Sequence, residues 1–284
     1  MTTIRLAYSP DSDDAFMFWA LKTGRLNTSG VSFEHRRADT EALNRSAELR
    51  RNVDVCAISI HQYAYVAEDF LLLPHGGSVG SGYGPVLVAR EGLTLGELRG
   101  ARIGVPGVRT TAYLVLRLLL PDFEPVVVPI SPFSGAFDAV LRGSVRAALI
   151  IHEGRLFFQR YGLIALLELG EAWGSLTGLP LPLGGNVIRR SLGGSVIRTV
   201  SQVLHSSIAW GLQNRDQVID EMLASEARGG VPRERAMLER YLAMYANRDT
   251  LDYGATGRRA IVELLKRGLA AGILPQCPPV EFAP

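Results

Sequence analysis

The strongest constraint on how this chain can fold is that it repeats itself. Strand-like and helix-like patterns alternate in the same order in two separate stretches. The first runs from an apolar strand at Ile4–Tyr8 through a helix near Asp14–Thr23, a strand near Val31–Arg36 and a helix over Thr40–Arg51 to a strand at Val53–Ile58. In the Thr40–Arg51 helix, Ala42, Leu43, Ala47 and Leu49 fall at near-helical spacing, with arginines and glutamates on the other side. The second runs from Ala101–Val105 through a helix at Thr110–Leu120, a strand at Val126–Val128 and a helix at Ser134–Leu141 to an apolar strand that ends at His152. The echo reaches single letters, because Glu48-Leu49-Arg50-Arg51-Asn52-Val53-Asp54-Val55-Cys56-Ala57-Ile58 parallels Val140-Leu141-Arg142-Gly143-Ser144-Val145-Arg146-Ala147-Ala148-Leu149-Ile150. Each stretch reads as a βαβαβ unit, which implies parallel strands. Ser59 and the His152 region then occupy similar places in two similar lobes.

Between the two stretches lies Gly76-Gly77-Ser78-Val79-Gly80-Ser81-Gly82-Tyr83-Gly84-Pro85, followed by a strand at Val86–Arg90. Glycine at this density reads as a mobile linker. A return passage is expected at Leu181–Ile188, after a helix containing Trp173, so that Gly84–Ala89 and Leu183–Val187 together form a hinge. Helices at about Ser195–Leu212, Arg215–Arg228, Arg233–Met244 and Thr256–Ala271 would complete the first lobe. The expectation is an α/β chain with a discontinuous first lobe, residues 1–86 and 186–284, and a second lobe of residues 87–185. Two α/β lobes joined by two crossovers describe the type 2 periplasmic-binding-protein fold, which holds a ligand in the cleft between lobes. That fold is nearly silent about what happens to the ligand.

Composition removes several classes of function. With 284 residues, 47% hydrophobic and 20% charged, the chain is an ordinary globular one. Its formal net charge of +2 provides no field for nucleic acid or an acidic membrane, and the arginines at 36, 37, 45, 50 and 51 read as a solvated face. Cys56 lies in an apolar run and Cys277 in a proline-rich tail, which excludes a disulfide scaffold; metal-ligand spacing is absent, so no metal is expected. The N-terminus lacks a basic n-region and an apolar h-region, and no apolar run approaches the roughly 18 to 20 residues needed to cross a bilayer. The expected location is the cytoplasm, without a membrane anchor or a nucleic-acid partner.

Residues able to do chemistry collect where strands end. The run Leu149-Ile150-Ile151-His152-Glu153-Gly154-Arg155 delivers a titratable ring to a strand's carboxyl end, where ligands bind in open α/β sheets. His152 is therefore a candidate base, and a satisfied structural histidine is the alternative. Gly107-Val108-Arg109-Thr110-Thr111-Ala112-Tyr113 opens a helix, so free N–H groups and the hydroxyls of Thr110 and Thr111 form a candidate anion pocket; equally, Thr110 caps the helix. In Ser9-Pro10-Asp11-Ser12-Asp13-Asp14-Ala15-Phe16, three aspartates invite a magnesium reading, but Asp13 or Asp14 is better read as an N-cap, with a cleft-facing Asp13 the competing reading. Phe16-Met17-Phe18-Trp19 reads as core. The glycine run lacks the Gly-Lys-Ser/Thr of a phosphate loop and precedes a strand. No Gly-x-Ser-x-Gly run turns from a strand into a helix, and there is no Cys–His motif, so Ser59, at a helix start, suits hydrogen bonding to a ligand.

On these residues the chain resembles the 1,4-dihydroxy-6-naphthoate synthase family of the futalosine pathway of menaquinone biosynthesis. The most specific agreement lies at Leu149-Ile150-Ile151-His152-Glu153 with Arg160-Tyr161-Gly162-Leu163, at Thr177-Gly178-Leu179-Pro180-Leu181-Pro182-Leu183-Gly184, at Thr110-Thr111-Ala112-Tyr113 and at Gly84-Pro85. Shorter agreement occurs at Leu43-Asn44-Arg45 and Ser59. The resemblance implies the two-lobed fold and a lyase reaction in which cyclic dehypoxanthine futalosine, a small aromatic carboxylate, loses a three-carbon sugar fragment without a redox cofactor. It also implies His152 as base, with Asn44, Ser59, Thr110 and Thr111 lining the pocket. A neutral imidazole, with a reference pKa of about 6.5, suits removal of a proton beside a carbonyl. The chain departs from the family at its first turn. Where the family commonly reads Ser-Pro-Cys-Pro-Asn-Asp-Thr-Phe, this chain has Asp11, Ser12, Asp13 and Ala15, and Asp13 puts an acceptor-only carboxylate where an amide also donates. A sister family of chorismate dehydratases lacks the Ile-Ile-His segment. A non-catalytic solute-binding protein of the same fold is the rival from another class.

Overall fold

Strands buried on both faces form the centre of the second lobe. Val86–Ala89 and Ala147–Ile150 are buried at every position, the pattern of strands covered by helices on both sides. The computed structural model describes residues 2–48, 52–130, 134–225 and 234–284. The chain runs β1 (Thr2–Tyr8), α1 (Ser12–Met17), α2 (Trp19–Lys22), β2 (Val31–Arg37), α3 (Thr40–Glu48), β3 (Val55–Ser59), α4 (Ile60–Val66), β4 (Phe70–Leu72) and β5 (Ser78–Gly80). It continues through β6 (Val86–Ala89), β7 (Arg102–Val105), α5 (Thr111–Leu119), β8 (Glu124–Val127), α6 (Ser134–Leu141), β9 (Ala147–Ile150), β10 (Ile164–Glu168) and α7 (Leu169–Thr177). It ends with β11 (Leu181–Arg189), α8 (Gly194–Gln213), α9 (Arg215–Ala224), α10 (Arg235–Tyr245), α11 (Arg248–Leu251) and α12 (Gly254–Ala270).

Among the described residues, one sheet has the order β2-β1-β3-β11-β4, with β5 also paired to β11, and the other has the order β10-β6-β9-β7-β8. β1 pairs in parallel with β2 and β3, and β7 with β8 and β9, as the repeated βαβαβ pattern requires. β11 runs antiparallel through the middle of the first sheet, and β6 and β10 are antiparallel additions to the second. The chain leaves the first sheet after β5 and returns to it at β11, which gives the two-lobed periplasmic-binding-protein architecture.

Three local expectations are corrected. The helix near Asp14–Thr23 is two helices, broken at Phe18 (φ −101°, ψ 9°), whose ring packs 4.7 Å from that of Tyr8. The glycine run is built into the structure rather than left mobile, since Ser78–Gly80 is a strand against β11. Gly80 and Gly170 both close on the Tyr83 carbonyl so tightly that neither has room for a Cβ. The third correction is that β11 belongs to the first sheet from Leu181 onward, where it already pairs with β5. The expected helix extensions over 49–51 and 226–233, including Leu49, Arg50 and Arg51, lie outside the described residues; Arg36, Arg37 and Arg45 are exposed.

Phe16, Met17, Phe18 and Trp19 are buried. One apolar cluster runs from Ile58, Ile60 and Tyr63 through Leu114 and Leu116 to Ile261, Leu264 and Leu265, so the two lobes share a core behind the cleft. Among the described residues no helix is long and apolar enough to cross a membrane.

Candidate functional site

β9 stops at Ile150, and two residues later the backbone of His152 turns into the left-handed region, with φ +54°. A side chain other than glycine costs on the order of 1–3 kcal/mol there and persists only where its surroundings hold it. Here both ring nitrogens are held. Nδ1 lies 3.0 Å from Oδ2 of Asp11, in the turn before α1, and Nε2 lies 3.1 Å from the Thr40 hydroxyl at the start of α3. The Tyr241 hydroxyl, from α10, is 3.5 Å from Nδ1. His152 thus closes one end of a cavity between the lobes, with about 740 Å³ of empty space counted out to its mouth.

Asp13 forms part of the same wall. It is not the N-cap of α1, which begins after Asp11; its Oδ2 accepts from the Ser78 hydroxyl at 2.7 Å and its Oδ1 from the Tyr241 hydroxyl at 3.2 Å. Burial, reinforced by the nearby charges of Asp14, Asp11 and Glu153, pushes its proton affinity well above the usual carboxylate range against the opposing bond from Ser78. That direction favours the protonated form, in which a carboxylic acid donates as well as accepts. The aspartates of this turn face different partners, since Asp14 Oδ2 accepts from the Ser9 N–H at 2.7 Å.

The opposite wall comes from β3 and α5. Ser59, at the N-cap position of α4, lines the cavity, and Asn44 stands behind it. Oδ1 of Asn44 accepts from the Ser59 N–H at 2.9 Å, while its Nδ2 donates to the Ser59 hydroxyl and to the Arg109 carbonyl, each at 3.2 Å. Fully buried, Asn44 is absent from the described wall and ties α3 to the turn before α5. Thr110 does both things expected of it. Its hydroxyl accepts from the Tyr113 N–H at 3.2 Å, capping α5, and donates to Gly107, while the residue lines the cavity. Thr111 also lines the cavity, although its hydroxyl donates to the Leu183 carbonyl at 2.7 Å and accepts from the His61 N–H. What this wall offers a ligand is the Ser59 hydroxyl and the first N–H groups of α5, which have no carbonyl partner within the helix.

Among the described residues the wall carries no lysine or arginine. An anionic ligand group there meets neutral donors only. His61, behind the wall, is no competitor to His152 as a base: burial drops it to about 4, and its Nδ1–H donates to the Thr110 carbonyl at 3.0 Å.

The structure thus brings His152, Asp13, Ser59, Thr110 and Thr111 to one cavity and places Asn44 one layer back. Sequence reasoning missed Asp11 as a partner of His152, along with Thr40, Ser78, Tyr241 and Tyr245. Asp11 sat in a turn already singled out. Tyr241 and Tyr245 lie one turn apart on one face of α10, but no spacing links that face to a strand end nearly ninety residues earlier.

Compared with known proteins, the chain matches over residues 4–270 the model of a family described as menaquinone biosynthesis. It is 37% identical over 278 residues to the 1,4-dihydroxy-6-naphthoate synthase of Thermus thermophilus, covering 98% of each chain. Among solved structures it is similar to a protein of Archaeoglobus fulgidus, with 38% identity and a TM-score of 0.87 over 95% of this chain and 98% of that one. The alkanesulfonate-binding protein of Xanthomonas axonopodis pv. citri, 17% identical, gives a TM-score of 0.69 over 100% of this chain and 96% of its own, a likeness of fold alone.

Proposed function

Because the chain belongs to the menaquinone-biosynthesis family and is an enzyme of that route, we propose that it is a cytoplasmic lyase that converts cyclic dehypoxanthine futalosine to 1,4-dihydroxy-6-naphthoate with loss of a three-carbon sugar fragment. The observation that carries this reading is the placement of His152, held by both ring nitrogens at one end of a cavity whose other end offers hydroxyl and N–H donors without a cation. In this reading His152 removes the proton beside the substrate carbonyl. The electron pair moves toward the carbonyl oxygen, where donors aimed at the developing charge lower the barrier. The Ser59 hydroxyl and the first N–H groups of α5, beginning at Thr111, hold the aromatic carboxylate at the α5 end, with Thr110 capping the helix that presents them. Asp13 bonds to sugar hydroxyls, and Asn44 acts by fixing Ser59. The tight bonding between lobes excludes water from the reacting atoms.

The test is turnover by purified protein, with chorismate as the competing substrate. The parent should convert the cyclic futalosine derivative and leave chorismate untouched, while His152→Gln should lose roughly 10² to 10⁴ in turnover and remain folded by circular dichroism. Near-parental turnover in folded His152→Gln would remove His152 as base, and dehydration of chorismate would reassign the substrate.

A further inference from the structure

We propose that Asp11 is the positioning residue for His152: its carboxylate holds the Nδ1–H, so that Nε2 is the atom that takes the substrate proton, and it favours the imidazolium that results. The inference rests on the reading of His152 as base. Asp11 is 1% exposed, and its Oδ2 lies 3.0 Å from Nδ1. A buried carboxylate in that position selects one tautomer, because an ionised carboxylate accepts and cannot donate. With Nδ1 protonated, Nε2 is left bare, and it is Nε2 that meets the Thr40 hydroxyl at the cavity wall.

Helix capping does not account for the Asp11 side chain. Asp11 occupies the N-cap position of α1, where an aspartate would ordinarily accept from the helix's first N–H groups, yet its side chain makes no cap bond. The residue that makes this contact is also the one held in the left-handed region, a conformation that persists where its surroundings hold it. Position 11 is also a place where the chain departs from the family's common cysteine, and a thiol supplies no full charge to balance an imidazolium.

Other titratable groups surround the pair. Asp13 and Asp14 come from α1, Glu153 from the same turn as His152, and Tyr241 and Tyr245 from α10. Glu153 is engaged across the lobes by the N–H and hydroxyl of Ser12, at 2.9 and 2.7 Å. Burial, together with the charges of Asp13, Glu153 and Asp11, holds Tyr241 well above its usual range, so it stays a neutral phenol. Asp11 is the carboxylate in this group that makes the 3.0 Å contact with the ring.

The experiment pairs kinetics with nitrogen NMR on the full-length protein. In the parent, ¹⁵N-histidine spectra should show the neutral His152 ring protonated on Nδ1; a ring protonated on Nε2 would overturn the proposal. Asp11→Asn should lower kcat by at least about tenfold, and as much as roughly 10⁴-fold where an analogous carboxylate orients a catalytic histidine, with KM nearly unchanged. The acid limb of its kcat/KM profile should move about one pH unit or more toward acid, the expected scale when an opposite charge at this distance is removed. An acid limb that stays in place in Asp11→Asn, however far kcat falls, overturns the proposal. Should the variant fail to fold, the parental NMR reading decides alone. Because that reading involves no turnover, it also separates this proposal from failure of the His152 base assignment, which the His152→Gln assay addresses.

Discussion

A protonated carboxylic acid and a primary amide share a shape and a donor–acceptor character, which bears on position 13 of the divergent first turn. Burial and the neighbouring carboxylates shift Asp13 toward its protonated form, which keeps the donor that an amide supplies. Asp13→Asn should therefore leave kcat/KM within about threefold of the parent at neutral pH, since no bond type is lost. The difference should emerge as pH rises. A raised proton affinity means the proton is held to higher pH than in an ordinary carboxylic acid; once it is lost, the parent presents a negative charge to an anionic substrate and its KM rises. The KM of Asp13→Asn should stay flat over the same range, and a parallel rise in both proteins would assign the effect to another group. His152, Ser59, Thr110 and Thr111 were legible from sequence because each sits at a strand end or helix start, positions whose direction the fold dictates. The raised proton affinity of Asp13 was not, since it comes from burial and from Asp14, Asp11 and Glu153 crowding one space, and Glu153 arrives from the other lobe. Asn44 had the right neighbourhood and the wrong layer; a helix pattern says which face is buried, not whether a side chain stops at the wall or behind it.

At the scale of elements, the alternation of strands and helices was legible because periodicity survives in a single sequence. The βαβαβ core of each lobe matches it. The antiparallel strands were not, because β4, β5 and β11 owe their pairing to partners far along the chain. The glycine run shows the limit best. Composition suggests slack, whereas the structure uses the missing Cβ atoms to bring β5 and α7 against one carbonyl. That contrast gives a prediction with a contested sign. Alanine in place of glycine inside a helix gains about 1 kcal/mol from propensity, and Gly170 lies inside α7. Its Cβ would collide with the Tyr83 backbone, however, and overpacking costs typically 1–3 kcal/mol where the neighbour is not a flexible side-chain tip. The clash should win, so Gly170→Ala should unfold at a lower urea concentration than the parent. Gly174→Ala, in the same helix with open space around its Cβ position, should unfold at the same or a higher one.

For the whole molecule, two buried histidines should govern acid stability. His75, between β4 and β5, is lowered to about 4 by burial and by the neighbouring His205, and His61 is lowered to about 4 chiefly by burial. In the unfolded chain each would titrate near 6.5. Because the unfolded state takes up protons first, their contribution is complete above pH 6.5 and is lost as pH falls toward 4, by up to about 3 kcal/mol for each site. Urea midpoints measured across that window should fall steeply with acid, and less steeply in folded His75→Gln; equal slopes would exclude His75. The threading of β11 has a consequence for how the protein is made. β11 separates β3 from β4 at the centre of the first sheet, while the second sheet draws its strands from one unbroken stretch of chain. As the polypeptide leaves the ribosome, the later lobe can close before the earlier one is complete. Until Arg189 emerges, the nascent first lobe presents β3, with Val55, Cys56 and Ile58 that are buried in the finished protein, as an unpaired apolar edge open to aggregation. That edge is covered only when Gly184–Ile188 of β11 pairs with it.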